Sequence, residues 1–207
     1  MTGRSLHTDT VTPISYGDDV PDESELRLCG DVTAKRVVEL GLGAGVPNAI
    51  TFAALGAKTM AVDPSADRVA AARREAERAE VHVEFHQADL ADLGFATSAS
   101  VDLVFSALAL TAVDDLPRVF RQVHRILKPG SPLVFSVPHP MAAMLEGGEV
   151  VLRKPYWSTG ARTTADLFTA LQRANFQVDV ILEPQPLANA NTHVPSALVM
   201  RARKLGV

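Results

Sequence analysis

The sequence predicts an α/β fold: a doubly wound, mostly parallel seven-stranded sheet that ends in an antiparallel C-terminal strand pair. Two observations carry this expectation. Short apolar, β-branched runs alternate with helical stretches along most of the chain, the signature of βαβ crossovers with helices on both sheet faces. The last two strand-like runs, residues 176–182 and 197–202, have no helix between them and so form an antiparallel edge pair. The chain of 207 residues, 47% hydrophobic and 21% charged, suits one domain over residues 1–207 that buries its own core.

The elements follow in order. Residues 1–35 form an N-terminal arm, polar and broken by Pro13, Gly17 and Pro21, with a helical patch around Leu26, Leu28 and Cys29. The run 36–40 is a first strand ending in glycines, and a helix over 47–55 stops at Gly56. The second strand, 58–63, closes on Asp63, and Asp63-Pro64-Ser65 opens an Ala/Arg/Glu-rich helix over 66–80. Strict alternation over 81–86 predicts a strand with one wetter face, carrying His82 and His86 to solvent. Residues 101–106 read as a central buried strand. Leu116, Val119, Phe120, Val123 and Leu127 make a helical stripe that Lys128-Pro129-Gly130 terminates. A strand over 132–137, a loop over 138–162 and a helix over 164–174 complete the pattern.

Composition excludes several functions. A net charge of -4 and a pI of about 5.8 argue against a broad basic surface for nucleic acid. Aromatic residues are only 5%, leaving few stacking platforms for single strands. The lone Cys29 forms no internal disulfide and reads as a buried filler, and no motif resembles a metal site. No apolar run reaches the ~18–20 residues that span a bilayer, and no signal-peptide core is evident, so a cytoplasmic location is expected.

In such a sheet, ligands bind beyond the carboxyl ends of the strands. Glu39-Leu40-Gly41-Leu42-Gly43-Ala44-Gly45 follows the first strand and precedes a helix, where bare backbone N–H groups meet an anionic or polar group. Asp63 ends the second strand about twenty residues later, where a carboxylate accepts hydrogen bonds from both ribose hydroxyls. Together they read as a site for an adenosine-containing molecule. The loop lacks the Gly-Lys-Ser/Thr of a phosphate loop, and Val46 stands where a dinucleotide fingerprint places its third glycine.

The E-x-G-x-G-x-G spacing from Glu39 to Gly45 resembles the first motif of the class I S-adenosylmethionine-dependent methyltransferases. Gln87-Ala88-Asp89-Leu90, the 101–106 strand and Arg125-Ile126-Leu127-Lys128-Pro129-Gly130-Ser131 resemble later motifs of that family in the same order. The resemblance implies S-adenosylmethionine as cofactor and S-adenosylhomocysteine as product, without a metal. It also implies a cofactor set of Glu39, Gly41, Gly43, Gly45, Asp63, Pro64, Ala88, Asp89, Leu90 and Ser106. Within that set Glu39 holds the ligand's ammonium through water, and Asp89 bonds the adenine amine between Ala88 and Leu90.

The stretch after the fourth strand, Ser106-Ala107-Leu108-Ala109, lacks the Asn/Asp-Pro-Pro-Tyr/Phe signature of many methyltransferases that act on amino groups of nucleic acids and proteins. A small organic acceptor is therefore expected, with neither a nucleic-acid nor a membrane partner, and as monomer or homodimer. Its pocket draws on the N-terminal segment 16–19 with Tyr16, the turn 106–110 and the stretch 139–162, with Trp157 as a wall, Arg162 for an acidic group and His139 as the candidate base. Ordinary packing and backbone capping remain open for each of these. The rivals are an RNA or protein methyltransferase of the same fold, a nicotinamide-dependent oxidoreductase, and a ligand-binding regulator without turnover.

Overall fold

The computed structural model describes residues 12–43, 45–145, 160–187 and 194–206. Helix α1 (Glu23–Leu26) precedes β1 (Arg36–Leu40), α2 (Asn48–Ala54), β2 (Lys58–Asp63), α3 (Ala66–Arg78) and β3 (Val83–Gln87). Then come β4 (Leu103–Ala107), α4 (Leu116–Ile126), β5 (Pro132–Pro138), α5 (Thr164–Arg173), β6 (Phe176–Leu182) and β7 (Ala197–Lys204). The strands lie in the order β3-β2-β1-β4-β5-β7-β6. Strands β1 to β5 pair in parallel, and β7 lies antiparallel between β5 and β6. Chain order reverses between β1 and β4, so a crevice opens beyond the carboxyl ends of these two strands.

Burial explains the order of the elements. Helix α4 covers one face with Leu116, Val119, Phe120, Val123 and Ile126, all buried. Each such side chain contributes about 1.5–3 kcal/mol relative to exposure. Asp115 caps that helix by accepting the Arg118 N–H, and Pro117 sits in its first turn. On the other face Phe105 of β4 meets Tyr16 and Phe52, with ring centroids 5.3 and 5.4 Å away. Helix α3 buries only Val69, Ala72 and Ala76 on its inner side, with Ser65 as its N-cap.

Element boundaries depart from the sequence pattern where side chains intervene. Helix α3 ends at Arg78 because Glu80 turns to φ 54, and the Val81 N–H bonds back to Ala76. Strand β4 begins two residues late. Asp102, just before it, is tied sideways to the Arg36 N–H (2.9 Å) and Lys128 Nζ (2.6 Å). His86 differs from the solvated side chain expected: its ring stacks on Phe95 at 3.8 Å, since a flat imidazole covers an aromatic face that water would otherwise wet. Cys29 is buried, as its apolar neighbours suggest. Among the described residues no helix is long and apolar enough to cross a membrane.

Candidate functional site

The turn after β1 is built around Gly41. Its N–H donates to Val62 O at 2.8 Å, and its φ of 77° is one that L side chains rarely adopt. A Cβ there would stand 2.1 Å from Ala109 Cβ, so only glycine lets the loop pass under the segment after β4. Gly43 and Gly45 face open space, which leaves the loop's rim accessible. Glu39, 1% exposed, points its carboxylate at the start of α2. One oxygen accepts the Asn48 N–H (3.2 Å) and side-chain amide (3.3 Å), and the other accepts the Ala49 N–H (2.7 Å). Burial pushes this carboxyl up to about 7, although those donors and the helix end pull the other way.

Asp63, 2% exposed, ends β2 beside the loop. Its Oδ2 accepts the Leu42 N–H at 2.7 Å, while Oδ1 accepts the Ser65 N–H at 2.8 Å and lies 3.1 Å from Arg68 Nε. Asp89 forms a turn after β3, its Oδ1 accepting the Ala91 N–H at 2.7 Å. A cavity of about 380 Å³ runs from Gly41, Asp63 and Pro64 past Asp89 and Leu90 to Asp114. A second, of about 530 Å³, is bounded by Gly17, Asp18, Glu39, Gly43 and Gly45. The two share Arg68, Leu108 and Ala109, so they form one crevice at the strand ends. Carboxylates outnumber cations on the first wall, where Asp63, Asp89, Asp114 and Asp115 face Arg68 and Arg118. A cationic ligand group suits that field. Among the described residues no group of three or more His, Cys, Asp or Glu side chains could hold a metal ion.

Other expected residues are placed differently. Ser106 is fully buried and donates to Leu40 O at 2.8 Å, so its hydroxyl ties β4 to β1 and is not presented to the crevice. Ala107 to Ala109, one turn further on, line the crevice instead. Ala88 is half-buried against the core and lines neither cavity. Tyr16 is likewise buried: its hydroxyl donates to Glu23 at 2.5 Å and its backbone O accepts from Ser136 at 2.6 Å, which removes it from ligand contact. His139 is 4% exposed and lines neither cavity. Its Nδ1 accepts the Met141 N–H at 3.2 Å, which leaves the ring proton on Nε2 to donate to Glu183 at 3.0 Å. The Arg162 guanidinium bonds the backbone oxygens of Val113 and Asp114, so it props the wall of the first cavity. Trp157 lies outside the described residues.

Two contributors escaped the sequence reading: Arg68 lines both cavities, and Asn48 clamps Ser15 through two hydrogen bonds (2.7 and 3.1 Å). Leu108, within the turn 106–110 expected at the acceptor pocket, holds φ 57 where the cavities meet, a conformation that leaves no trace in sequence because contacts impose it. An Asn at a helix start and an Arg at the third position of a helix are visible signals.

Comparison with known proteins agrees with this geometry. The family described as "Methyltransferase domain" matches residues 38–135, which is β1 through most of β5. A ubiquinone biosynthesis O-methyltransferase of Xanthomonas oryzae pv. oryzae is 30% identical over 127 residues, covering 59% of this chain and 53% of its own. The chain thus spans about half the length of the curated relatives it matches. An S-adenosylmethionine-dependent methyltransferase structure from Mesorhizobium loti superposes with a TM-score of 0.71 at 27% identity, covering 86% of this chain and 94% of that one. A structure from Listeria monocytogenes, at 23% identity and TM-score 0.72, shares the fold over 87% of this chain and 95% of its own. The matched span carries the glycine loop, Asp63 and Asp89 on the strand ends where the crevice opens, and residues 38–135 of the chain form a methyltransferase domain similar to that of S-adenosylmethionine-dependent methyltransferases.

Proposed function

We propose that the protein transfers a methyl group from S-adenosylmethionine to a small organic acceptor by in-line displacement. One observation carries most weight: a buried carboxylate, Asp63, stands beside a glycine loop at the floor of an acid-lined crevice. The residues suit the ligand. Asp63 accepts from the ribose diol, Asp89 and Leu90 receive the adenine, and Glu39 offers charge to the ammonium across α2's first turn. Bound there, the cofactor supplies a methyl already activated by sulfonium. The chain's own task is to align the acceptor and exclude water, worth about 7–11 kcal/mol in favourable cases.

The acceptor approaches through the second cavity, between the N-terminal segment at Gly17–Asp18 and the turn at Leu108. Its small size is supported by the relatives named for ubiquinone O-methylation and by the net charge of -4. His139 serves as a base only if it first releases Glu183 and turns toward the crevice. An acceptor that ionises unaided needs no such group.

Calorimetry with S-adenosylhomocysteine tests the core of the proposal. Asp63→Asn keeps the side chain's shape and removes the charge, and it weakens binding about tenfold or more if two charge-assisted bonds are lost. Unchanged affinity refutes the ribose assignment.

A further inference from the structure

The Asp63 carboxylate already has three neighbours from this chain: the Leu42 and Ser65 N–H groups and the Arg68 guanidinium. A carboxylate offers about four acceptor positions, two on each oxygen. Oδ2 uses one on the Leu42 N–H, and Oδ1 uses one on the Ser65 N–H while the Arg68 guanidinium stands beside it as an ion pair, Nε 3.1 Å away. A vicinal diol that gives one bond to each oxygen therefore finds room on Oδ2 but meets the guanidinium on its way to Oδ1. Of the two groups at Oδ1, one must give way. The Ser65 N–H is fixed, because Ser65 is the N-cap of α3. Arg68 is the movable one: its side chain is 53% exposed on a rotatable stem.

The position of Arg68 is otherwise unfavourable. It is the third residue of α3, and its own N–H bonds the capping Ser65 hydroxyl. A cation in the first turn opposes the helix dipole. The guanidinium folds back over that end to reach Asp63, and lines both cavities of the crevice as it does so.

We propose that Arg68 is a latch on the ribose site: its ion pair with Asp63 competes with a nucleoside for that carboxylate, must open for the ribose to seat, and so lowers affinity for cofactor and product alike. The latch rests on the assignment of the ribose to Asp63. Its consequence is easier departure of S-adenosylhomocysteine after transfer, since Arg68 stands ready to reclaim the carboxylate.

Titration calorimetry on Arg68→Met and the wild type tests this. Methionine keeps the reach of the stem without the cation. At low ionic strength R68M binds S-adenosylhomocysteine about three- to tenfold more tightly, the range set by the worth of a half-exposed ion pair. Raising the salt to ~1 M closes the gap to about twofold or less, and the ratio of the two affinities cancels the effect of salt on every charge that both proteins share. Equal or weaker binding by R68M, or a gap that salt does not move, overturns the latch while leaving the nucleoside site intact. Failure of both proteins to bind overturns the nucleoside site as well. Should R68M fail to fold, Arg68→Gln, which also lacks the cation, is measured against the wild type in its place, with the same outcomes for and against the latch.

Discussion

Glu39→Gln probes the least comfortable group in the molecule. Glu39 is 1% exposed, and burial raises its carboxyl from an ordinary 4.5 to about 7. Between those values the folded chain holds a proton that the unfolded chain has lost. Stability therefore falls as pH rises through this window and levels off above it. At 1.36 kcal/mol for each pH unit, the displacement from 4.5 to about 7 is worth about 3 kcal/mol. Glutamine is neutral like the protonated acid, but its NH2 cannot accept an N–H as the second carboxyl oxygen does, so E39Q carries a fixed cost from one lost bond to the start of α2. On top of that constant, E39Q gains on the wild type by about 2–3 kcal/mol between pH 5 and pH 8. Urea unfolding of both proteins at a series of pH values measures the difference, and subtracting one curve from the other cancels every other titrating group. A wild type that gains on E39Q between pH 5 and 8 refutes the reasoning, because the α2 amides would then outweigh burial. Under the proposed function, the ligand's ammonium restores what burial costs. Binding near pH 6.5 then releases protons, visible as a buffer-dependent heat.

Two further outcomes test the site's frame. Gly41→Ala places a methyl 2.1 Å from Ala109 Cβ at φ 77 and costs about 2–5 kcal/mol from overpacking and backbone strain. Adding Ala109→Gly recovers the steric part, and a double-mutant cycle without coupling in thermal melts contradicts that contact. His139→Gln lowers stability by about 1–2 kcal/mol through the lost Met141 and Glu183 bonds and leaves S-adenosylhomocysteine affinity within about twofold. A large loss of affinity would place the ring in the crevice after all.

The alternation of strands and helices was legible because burial on both sheet faces leaves uninterrupted apolar runs such as 101–106, and one-sided burial leaves the α4 stripe. The glycine loop and Asp63 were legible for a different reason: close backbone approach and a helix start restrict which residues can stand there. Strand ends were less so. Val81 and Val101 are as apolar as strand residues, yet turn and bridge contacts hold them outside β3 and β4.

The polar residues divided along the same line. Tyr16, His139 and Arg162 were singled out for what their side chains can do, and each side chain is committed to a partner outside its own element: the Tyr16 hydroxyl to Glu23, the His139 ring to Glu183 and the Arg162 guanidinium to Val113 O. Whether a hydroxyl, imidazole or guanidinium faces a ligand depends on which groups desolvation forces it to satisfy first, and those partners come from other elements. Arg68 shows the converse. It reads as one more charge on a solvated helix, and only the return of α3 across the end of β2 brings it to Asp63. Sequence by itself determined the fold class, the place of the crevice and the acid at its floor, since each is set by local backbone demands and the period of burial. Tertiary structure alone decided which side chains are free to use that crevice, because hydrogen-bond satisfaction in a buried interior is settled between elements and not along them.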